Sequence, residues 1–518
     1  AEYMGMINSV VKDLIQMERK KARSEDDSFF DLIDEALLHN ILRRLPAASF
    51  TFAACVSKLW NRTCNGILYS RPKLASAVSV SLSPLTALKE AVSSVLSEPI
   101  RPHFALAHVV GSKFDLERTL GFLAGKIGSK TPMIVTRSPG VMGRKASSSE
   151  HCVFNKEDLL YDDGTVESAC VLLVIGFLPG LQVSVIPFQK LRKAVNGIRK
   201  FSRSASGSSS PSFIMMFGSE DAELKPIIDK LDEAMSNETI IAGNERCEFT
   251  FNIGGGAKIV APEATGKIHA VTLVFANDMR KAAEIGEVGF HVGFSQGLFP
   301  VGPVFQALSC RHARQISTIS GKREGMAQVL TGEEMASEIG IDVAYSKLFI
   351  AVSRKGRGDA DSDLSSVVDF YGEIEYGSYY LLGIFVLFIF IAIRGYDDHL
   401  HVQGCRVQTR DYFQFCLSPL GRCEAASREV SNSFKSLKEK WGMERVELIG
   451  GFIFACKFRR DIFFLGGNHN WSPFLDNFGS APVMGLFCSG EIARGFSTKC
   501  FLNKVSSVYV GLSYSLQR

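Results

Sequence analysis

The sequence predicts a small all-helical unit followed by a large mixed α/β part, a fold class of α plus α/β, and two patterns support this prediction. The apolar residues Ile33, Leu37, Ile41 and Leu45 recur at every fourth position, which is the spacing of one face of an α-helix. From about residue 100 onwards, short apolar runs alternate with amphipathic segments, as is typical of strands and helices that pack in layers. The change of period predicts two structural classes in one chain.

Length and composition limit the function. The 518 residues are enough for roughly two to four domains. Hydrophobic residues make up 46%, charged residues 22%, and the formal net charge is +4, which is an ordinary globular mixture. Charges of both signs are interspersed, and the basic stretch at 190–200 is interpreted as a solvated helix face. Composition therefore requires no acidic partner, and nucleic acid is not expected.

The twelve cysteines are scattered without a CxxC pair or a Cys/His spacing suited to zinc, so no metal site is predicted. Unpatterned cysteines are typical of reduced, buried thiols. The first residues also lack the basic-then-apolar pattern of a signal peptide. We therefore expect a cytoplasmic or nuclear location.

The first 70 residues divide into two segments. Residues 1–27 include a run of charges, "ERKKARSEDD", and are interpreted as an exposed helix end or linker. Residues 28–70 form the predicted helical unit, in which Pro46 ends the first helix and Ser49 is a candidate N-cap for the next. A unit of about 40 residues cannot build a generous core, so we expect its apolar stripe to contact something else.

The larger part contains recognisable local patterns. "HFALAHVV", "FDLERTLGFLAGKIG" and "TPMIVTR" predict a strand, a helix and a strand, hence a βαβ unit. Apolar runs on either side of Pro179-Gly180 predict a hairpin. Thr331 and Glu334 form a capping box that opens a helix.

The helical unit resembles the F-box. In "IDEALLHNILRRLP" and "FTFAACVSKLWNRTCNGIL" the Leu-Leu, Ile-Leu, Leu-Pro, Val and Trp positions match the F-box pattern, whereas the usual opening Leu-Pro is Ile-Asp. The alternative is an ordinary helical hairpin with a buried stripe. The resemblance implies docking on an SKP-type adaptor, which links F-box proteins to cullin–RING ubiquitin ligases, with Trp60 as the expected anchor. The candidate adaptor-binding residues are Ile33, Leu37, Ile41, Leu45, Pro46, Val56 and Trp60.

The rest of the chain resembles the FIST region, a two-part module. The resemblance lies in "GFSQGLFPVGP", "DYFQFCLS" and "SPFLDNFGSAPVMGLFCSGEIARG", and it implies a first part at 100–280 and a second at 285–515. It also implies that the module senses small ligands such as amino acids, without an assigned chemistry.

Two groups of residues are candidates for ligand binding. Gly297, Pro300 and Gly302 predict a tight loop whose backbone amides can approach a ligand, although a structural turn explains them as well. Glu491 and Arg494 offer a carboxylate and a guanidinium that could clamp the amine and carboxylate of an amino acid. A surface ion pair or a helix cap is the alternative.

None of the sequence patterns considered for catalysis forms a complete catalytic motif. "NIGGGAKI" at 252–259 matches neither nucleotide-binding pattern, Cys310 and His312 lack a third orienting group, and no thioester-ligase domain surrounds Cys488. We predict no catalytic residue and no cofactor.

An apolar segment interrupts the second part. Its centre, residues 379–393, is uncharged, and as a helix it would be about 22 Å long, short of the ~30 Å bilayer core. We treat 376–395 as an atypical insertion or translated intron sequence, with a buried strand or a membrane contact as alternatives.

Together these observations predict a non-catalytic, substrate-recognising subunit of an SCF-type ubiquitin ligase. The alternative is a FIST-type sensor of small, amino-acid-like ligands, or a signalling scaffold, that takes no part in ubiquitination. A membrane-anchored sensor is a third class.

Overall fold

The fold is taken from a computed structural model that describes residues 34–515 with internal gaps. The gaps are residues 71, 149, 160–167, 256–266, 314–315, 340–348, 354–369, 375–398, 404–406, 458, 460–470, 480, 497, 499 and 504. The predictions for 1–27, for Ile33 and for the apolar segment 376–395 therefore lie outside the described residues.

Helices and strands alternate through most of the described chain. The ten helices there are α1 Glu35–Leu42, α2 Ala47–Ala53, α3 Lys58–Tyr69, α4 Pro84–Val95, α5 Leu116–Ile127, α6 Leu191–Ser206, α7 Lys225–Ala234, α8 Gly332–Ser337, α9 Leu420–Glu444 and α10 Ser472–Phe478. The first twelve strands are β1 Lys73–Ser81, β2 Phe104–Val110, β3 Met133–Arg137, β4 Gly140–Arg144, β5 His151–Asn155, β6 Ala169–Phe177, β7 Leu181–Phe188, β8 Phe213–Ser219, β9 Ile240–Cys247, β10 Phe249–Asn252, β11 Ala270–Asn277 and β12 Glu287–Ser295. The remaining strands are β13 Phe299–Ala313, β14 Ile316–Arg323, β15 Phe349–Ser353, β16 Phe370–Ile374, β17 Leu400–Gln403, β18 Tyr412–Leu417, β19 Val446–Cys456, β20 Val483–Cys488, β21 Glu491–Arg494, β22 Phe501–Asn503 and β23 Ser507–Ser515. The prediction of a mixed α/β protein is confirmed.

Helices α1 to α3 form a unit with its own small core. The Asp34 side chain accepts a hydrogen bond from the Ala36 N–H and begins α1. Pro46 stands at the N-cap of α2, so Ser49 lies inside that helix, and the predicted cap at Ser49 is wrong. Proline suits this position because a helix start needs no N–H donor. The core of the unit consists of Leu38, Leu42, Leu45, Phe50, Ala53, Trp60 and Cys64.

The helical unit also contacts the α/β part. The Ala47 N–H donates to the Leu96 carbonyl at 3.0 Å, and Ala47 packs with α4 and α5 in a second cluster. The ring of Tyr69, at the end of α3, meets Phe177 of β6 edge-on with 5.6 Å between ring centroids. These contacts join α2 and α3 to the first sheet and the helices that cover it.

The first sheet has the order β1-β6-β2-β3-β10. Strands β2 and β3 are parallel and are connected through α5, so the predicted βαβ unit is confirmed. Helices α4 and α5 supply Leu88, Leu120 and Leu123 to the cluster on one face of the sheet. Because the strands are covered on both faces, β2 and β6 are buried along their whole length.

The second sheet has the order β22-β21-β9-β8-β11-β7 and carries α6 and α7. Strand β7 belongs to this sheet and pairs with β11, whereas β6 pairs with β1 and β2 in the first sheet. The predicted hairpin at Pro179-Gly180 is therefore wrong. A turn signal shows that the chain reverses there, but it does not show with which strand each apolar run will pair.

The third sheet has the order β12-β23-β19-β20-β4-β5, and the six strands β13 to β18 close into a barrel. Helices α9 and α10 pack on the third sheet through Phe434 and Phe474, whose rings stack with centroids 4.8 Å apart. The barrel has a separate cluster built around Phe305, Phe413 and Phe415. The capping box of Thr331 and Glu334 is present at the start of α8.

The predicted FIST parts at 100–280 and 285–515 exchange strands. Strands β4 and β5 come from the first part, yet they complete the third sheet through the pairing of β4 with β20. Strands β21 and β22 come from the second part, yet they extend the second sheet through the pairing of β21 with β9. The second and third sheets thus each contain strands from both predicted parts.

The three open sheets share one central core. Phe104 of the first sheet meets Phe275 of the second edge-on at 5.3 Å, and Phe217 of the second lies 6.4 Å from Phe454 of the third. All four rings belong to one continuous buried cluster. In the described ranges, no helix combines the length and the apolar character needed to cross a bilayer.

Candidate functional site

Helices α1 and α2 each carry one exposed, large apolar side chain. Leu37 is 53% exposed on α1 and Phe52 is 66% exposed on α2. Ile41, Pro46 and Val56 are half-buried. We use the name apolar face for these five residues, which include Phe52, a residue that the sequence pattern did not single out.

Two of the seven candidate adaptor-binding residues lie elsewhere. Leu45 is fully buried and Trp60, the expected anchor, is 3% exposed, and both belong to the core of the unit. The Trp60 backbone N–H donates to the Ser57 hydroxyl oxygen at 3.2 Å, so Ser57 caps the start of α3. Periodicity located the apolar stripe, but only the packing of three helices sorts its members into inside and outside.

The stretch containing Gly297, Pro300 and Gly302 is not a free loop. Pro300 and Gly302 lie in β13, where the register with β18 shifts between Val301 and Val304. Gly302 has a φ of +69°, a conformation that glycine adopts without strain. The prediction of an irregular, glycine-dependent backbone holds, but the feature is a bulge in a strand.

Gly297 is required by a close backbone approach. A Cβ atom at this position would lie 1.4 Å from the Val505 carbonyl oxygen. The Gly297 carbonyl also accepts a weak hydrogen bond from the Cys423 thiol at 3.5 Å. The space that a ligand would need beside this glycine is thus occupied by the chain itself, which favours the structural interpretation.

We expect Gly297→Ala to destabilise the protein by at least about 3 kcal/mol, because the added methyl group meets a backbone carbonyl that cannot rotate away. Gly302→Ala is the matched control. Its Cβ would find ordinary contact distances, the nearest being 3.5 Å, so only the positive φ costs about 1–2 kcal/mol. Urea denaturation of both variants measures the difference. Equal destabilisation would contradict the backbone-contact explanation for Gly297.

Glu491 and Arg494 are both buried and do not face each other. They lie three residues apart on β21, so their side chains point to opposite faces of the sheet. Arg494 Nε lies 3.4 Å from Asp232 Oδ1, and Arg494 Nη2 donates to the Ser236 carbonyl at 2.8 Å. The two residues therefore cannot clamp one amino acid, and neither a surface ion pair nor a helix cap describes them.

Arg494 and Asp232 connect the two predicted parts. Arg494 is 1% exposed, and its partner Asp232 on α7 also accepts the Cys500 N–H at 2.9 Å. Burial raises the pKa of Asp232, against the hydrogen bond from Cys500 and the charge of Arg494. The pair fixes β21 and the segment leading to β22 against a helix that precedes them by more than 200 residues.

Glu491 belongs to a buried polar centre on the other face of β21. Its Oε2 accepts hydrogen bonds from the Ser506 N–H at 3.2 Å and the Ser506 hydroxyl at 2.6 Å. Nearby, Arg459 donates to the Ser295 carbonyl at 2.7 Å and to the Ser427 hydroxyl at 3.1 Å. Burial raises the pKa of Glu491 to about 8, because the hydrogen bonds from Ser506 and the charge of Arg459 only partly offset desolvation.

Sequence reasoning missed most of this polar centre. Ser427, Arg459 and Ser506 come from distant segments and stand in none of the quoted motifs, and Ser295 lies in "GFSQGLFPVGP" without being singled out there. The one available signal is a pair of arginines that follows the apolar run "FIFACKF". A charged residue next to a buried strand is common, so the signal does not identify Arg459.

The cysteines considered for chemistry are protonated thiols. Burial raises the pKa of Cys310 to about 11 and the pKa of Cys488 well above 9. Since the thiolate is the nucleophile, neither group is activated. Among the residues that the structure describes, no group of three or more His, Cys, Asp or Glu side chains could hold a metal ion.

The glycine-rich stretch at 252–259 is described only in its first part. The Asn252 side chain accepts the Gly254 N–H at 3.1 Å and donates to the Ser129 carbonyl at 2.9 Å. These bonds fix a turn at the end of β10. The described residues of this stretch thus form a structural turn.

The described chain is an α/β protein that carries a three-helix unit with an exposed apolar face. A curated relative, an F-box/LRR-repeat protein of Arabidopsis thaliana, is 32% identical over 522 residues, covering 93% of this chain and 93% of the relative. At this identity and coverage, the chain belongs to the F-box protein family. No model of a known protein family matches the sequence.

The residues that the structure describes do not form the repeats that the relative's printed name includes. Leucine-rich repeats stack similar units of 20–29 residues, each with a strand lining a horseshoe. In the described residues, by contrast, the parallel strand pairs β2–β3, β8–β9 and β19–β20 occur in three separate sheets that are otherwise antiparallel.

Proposed function

We propose that this chain is the substrate-recognition subunit of an SCF-type cullin–RING ubiquitin ligase. The helical unit docks an SKP-type adaptor, and the α/β part, which resembles the FIST region, holds the protein to be ubiquitinated. One observation carries the proposal: in a member of the F-box family, Leu37 and Phe52 remain exposed on a helical unit whose own core is already filled.

The apolar face is suited to a protein partner. Fully burying a leucine or phenylalanine side chain contributes about 1.5–3 kcal/mol, and anchors of this kind dominate interface energies. Ile41, Pro46 and Val56 are half-buried and would form the surroundings of the two anchors. Trp60 stabilises the shape of the unit from inside.

The proposed role needs no chemistry from this chain. Ubiquitin transfer would belong to the associated subunits, and this chain would contribute proximity by holding the target beside them. The complex would act in the cytoplasm, the nucleus or both.

Adaptor binding by the purified full-length chain tests the proposal. We expect the double variant Leu37→Asp, Phe52→Lys to bind an SKP-type adaptor at least 100-fold more weakly than the wild type in isothermal titration calorimetry. Asp at the start of α1 and Lys near the end of α2 agree with the helix dipoles, and the formal net charge stays constant. The fold of the unit should therefore survive.

The matched control is Leu82→Asp, Met326→Lys, which changes two apolar residues that are 55% and 52% exposed elsewhere. It should bind the adaptor like the wild type. Circular dichroism and the melting temperature check that both variants fold. Failure of the wild type to bind any SKP-type adaptor would refute the ligase role and leave the sensor hypothesis. Equal binding by the first variant would refute the apolar face.

A further inference from the structure

A large open groove lies where the helical unit meets the α/β part. Its volume is about 1450 Å³, above the roughly 300–1,000 Å³ of typical small-molecule pockets. Helix α3 forms one wall, and the end of α5, the turn between β6 and β7, and the segment after β11 form the others. The size fits a segment of polypeptide better than a metabolite.

One face of α3 is turned to this groove. Arg62, Asn65, Gly66 and Tyr69 line it, and their spacing of three and four residues places them on one side of a helix. Trp60 and Cys64 of the same helix point into the core of the helical unit. Helix α3 is therefore filled on one side and open on the other.

Gly66 leaves space beside the wall of the groove that α3 forms. A Cβ atom at this position would meet no atom within 4 Å, so packing does not require glycine here. Glycine within a helix is less favourable than alanine by roughly 0.5–1 kcal/mol. The chain thus carries an unfavourable helix residue at a point where a larger side chain would project into the groove.

The groove is rich in positive charge. Five cationic side chains line it, Arg62, Arg101, Lys130, Arg280 and Lys281, against the two acidic residues Asp278 and Glu284. Lys281 lies 3.6 Å from Glu287, outside the groove lining. In the part of the chain that the structure describes, Arg62, Lys130 and Arg280 are exposed and have no carboxylate at ion-pair distance.

Apolar side chains also line the groove. Val183, Phe201 and Ile285 are half-buried in the lining. His103 adds no charge, because burial lowers its pKa to about 4. The groove therefore offers exposed guanidinium and ammonium groups around a partly apolar surface.

We infer that this groove binds an acidic peptide segment, with at least one apolar side chain among its carboxylates, from the protein to be ubiquitinated. Carboxylates complement the arginines through charge-assisted, often bidentate hydrogen bonds, and the apolar side chain covers the Val183, Phe201 and Ile285 surface. The inference rests on the proposed function, since it assigns the target's docking site. Because α3 forms both the wall of the groove and part of the adaptor-binding unit, a bound target would sit directly beside the adaptor-docking helices.

A nucleic acid fits the groove less well. Asp278 and Glu284 stand among the cations and would repel a continuous phosphate chain. Single-stranded nucleic acids also need exposed aromatic rings for stacking, whereas in the groove lining Tyr69 packs against Phe177 and Phe201 is half-buried. An oligonucleotide therefore serves as the competing outcome of the test.

The test selects peptides from a random phage-displayed 12-residue library on the full-length wild-type chain. We expect enrichment of Asp and Glu next to an apolar residue, and weaker binding of the selected peptides as salt rises. Arg62→Glu, Arg280→Glu should weaken the best peptide at least tenfold in fluorescence anisotropy. The control Arg118→Glu, Arg192→Glu makes the same charge change on the exposed surfaces of α5 and α6 and should leave binding unchanged.

A second variant separates shape from charge. Gly66→Leu keeps every charge and replaces glycine by a better helix former, so it should fold and still lose at least tenfold in peptide affinity. No selected peptide, selection without acidic enrichment, unchanged binding by both groove variants, or tighter binding of a 20-residue oligothymidylate would each overturn the inference. Leu37→Asp, Phe52→Lys should retain peptide binding, so failure of adaptor docking and failure of the groove are distinguishable.

Discussion

A chain that ends after Gly490 is expected to lose ordered structure in the second and third sheets together, although the deletion removes only the last 28 of 518 residues. The deleted segment contains β21, β22 and β23. Strand β21 pairs with β9 in the second sheet, and β9 comes from the first predicted part. Strand β23 lies between β12 and β19 in the third sheet. One truncation therefore opens two sheets.

The energetic reason is the number of fully buried side chains that depart with these strands. Val508, Val510 and Leu512 of β23 and Ile492 of β21 are all 0% exposed. At about 1.5–3 kcal/mol for each buried aliphatic side chain, their loss is comparable with the whole 5–15 kcal/mol stability of a typical domain. The unpaired edges left on β9, β12 and β19 add exposed backbone donors and acceptors.

Amide hydrogen exchange measures this prediction. In the full-length chain, β9 and β19 should be strongly protected, and in the chain 1–490 both should exchange rapidly. Co-expression of residues 491–518 as a separate peptide is the control and should restore protection in both strands. Native-like protection of β9 in the truncated chain would show that the first predicted part folds by itself, which would contradict its dependence on β21.

Glu491→Gln is expected to remove a pH dependence of stability from the protein. Burial raises the pKa of Glu491 to about 8 from an ordinary value of 4.5, so the folded state holds the proton more tightly than the unfolded state. Its contribution to stability is therefore fully present below about pH 4.5 and is lost as the pH rises towards 8. A single linked proton gives a slope of about 1.4 kcal/mol per pH unit within this window.

The isosteric glutamine keeps the acceptor for Ser506 without an ionisable proton. We expect the urea midpoint of Glu491→Gln to vary less between pH 5.5 and 7.5 than that of the wild type, and to be higher at pH 7.5. The control is Glu284→Gln, because Glu284 is exposed and its replacement should leave the wild-type slope unchanged. Identical slopes for the wild type and Glu491→Gln would contradict the assignment.

Several features follow from local sequence alone. The first helix ends before Pro46, which is the N-cap of α2, the capping box at Thr331 begins α8, and the βαβ unit of β2, α5 and β3 lies where the apolar periods predict it. Each depends on residues close together in the chain, whose conformational preferences are expressed in any fold. The F-box resemblance is local in the same sense, and the relationship to an F-box protein agrees with it.

Other predictions failed because they concern pairing between distant segments. The apolar runs around Pro179-Gly180 have the local pattern of one hairpin, yet they belong to two different sheets. Glu491 and Arg494 were considered as a ligand clamp, yet strand geometry separates them to opposite faces and each binds a different remote partner, Ser506 and Asp232. No local pattern contains this information, since each partner is chosen by the packing of whole sheets.

Helical periods, proline breaks and strand-like runs act within a few residues, so local sequence is sufficient to predict that this protein joins a short helical unit to a mixed α/β part. Packing of the folded chain, by contrast, selects which apolar residues of the helical unit face outward, which glycine is held by backbone contact, and how the two predicted parts share their sheets. Folding also brings the cations around the α3 groove together from four separate segments, because Arg280 and Lys281 are adjacent in the chain. Burial and charge proximity depend on contacts between residues tens to hundreds of positions apart, and those contacts exist only after the chain has folded.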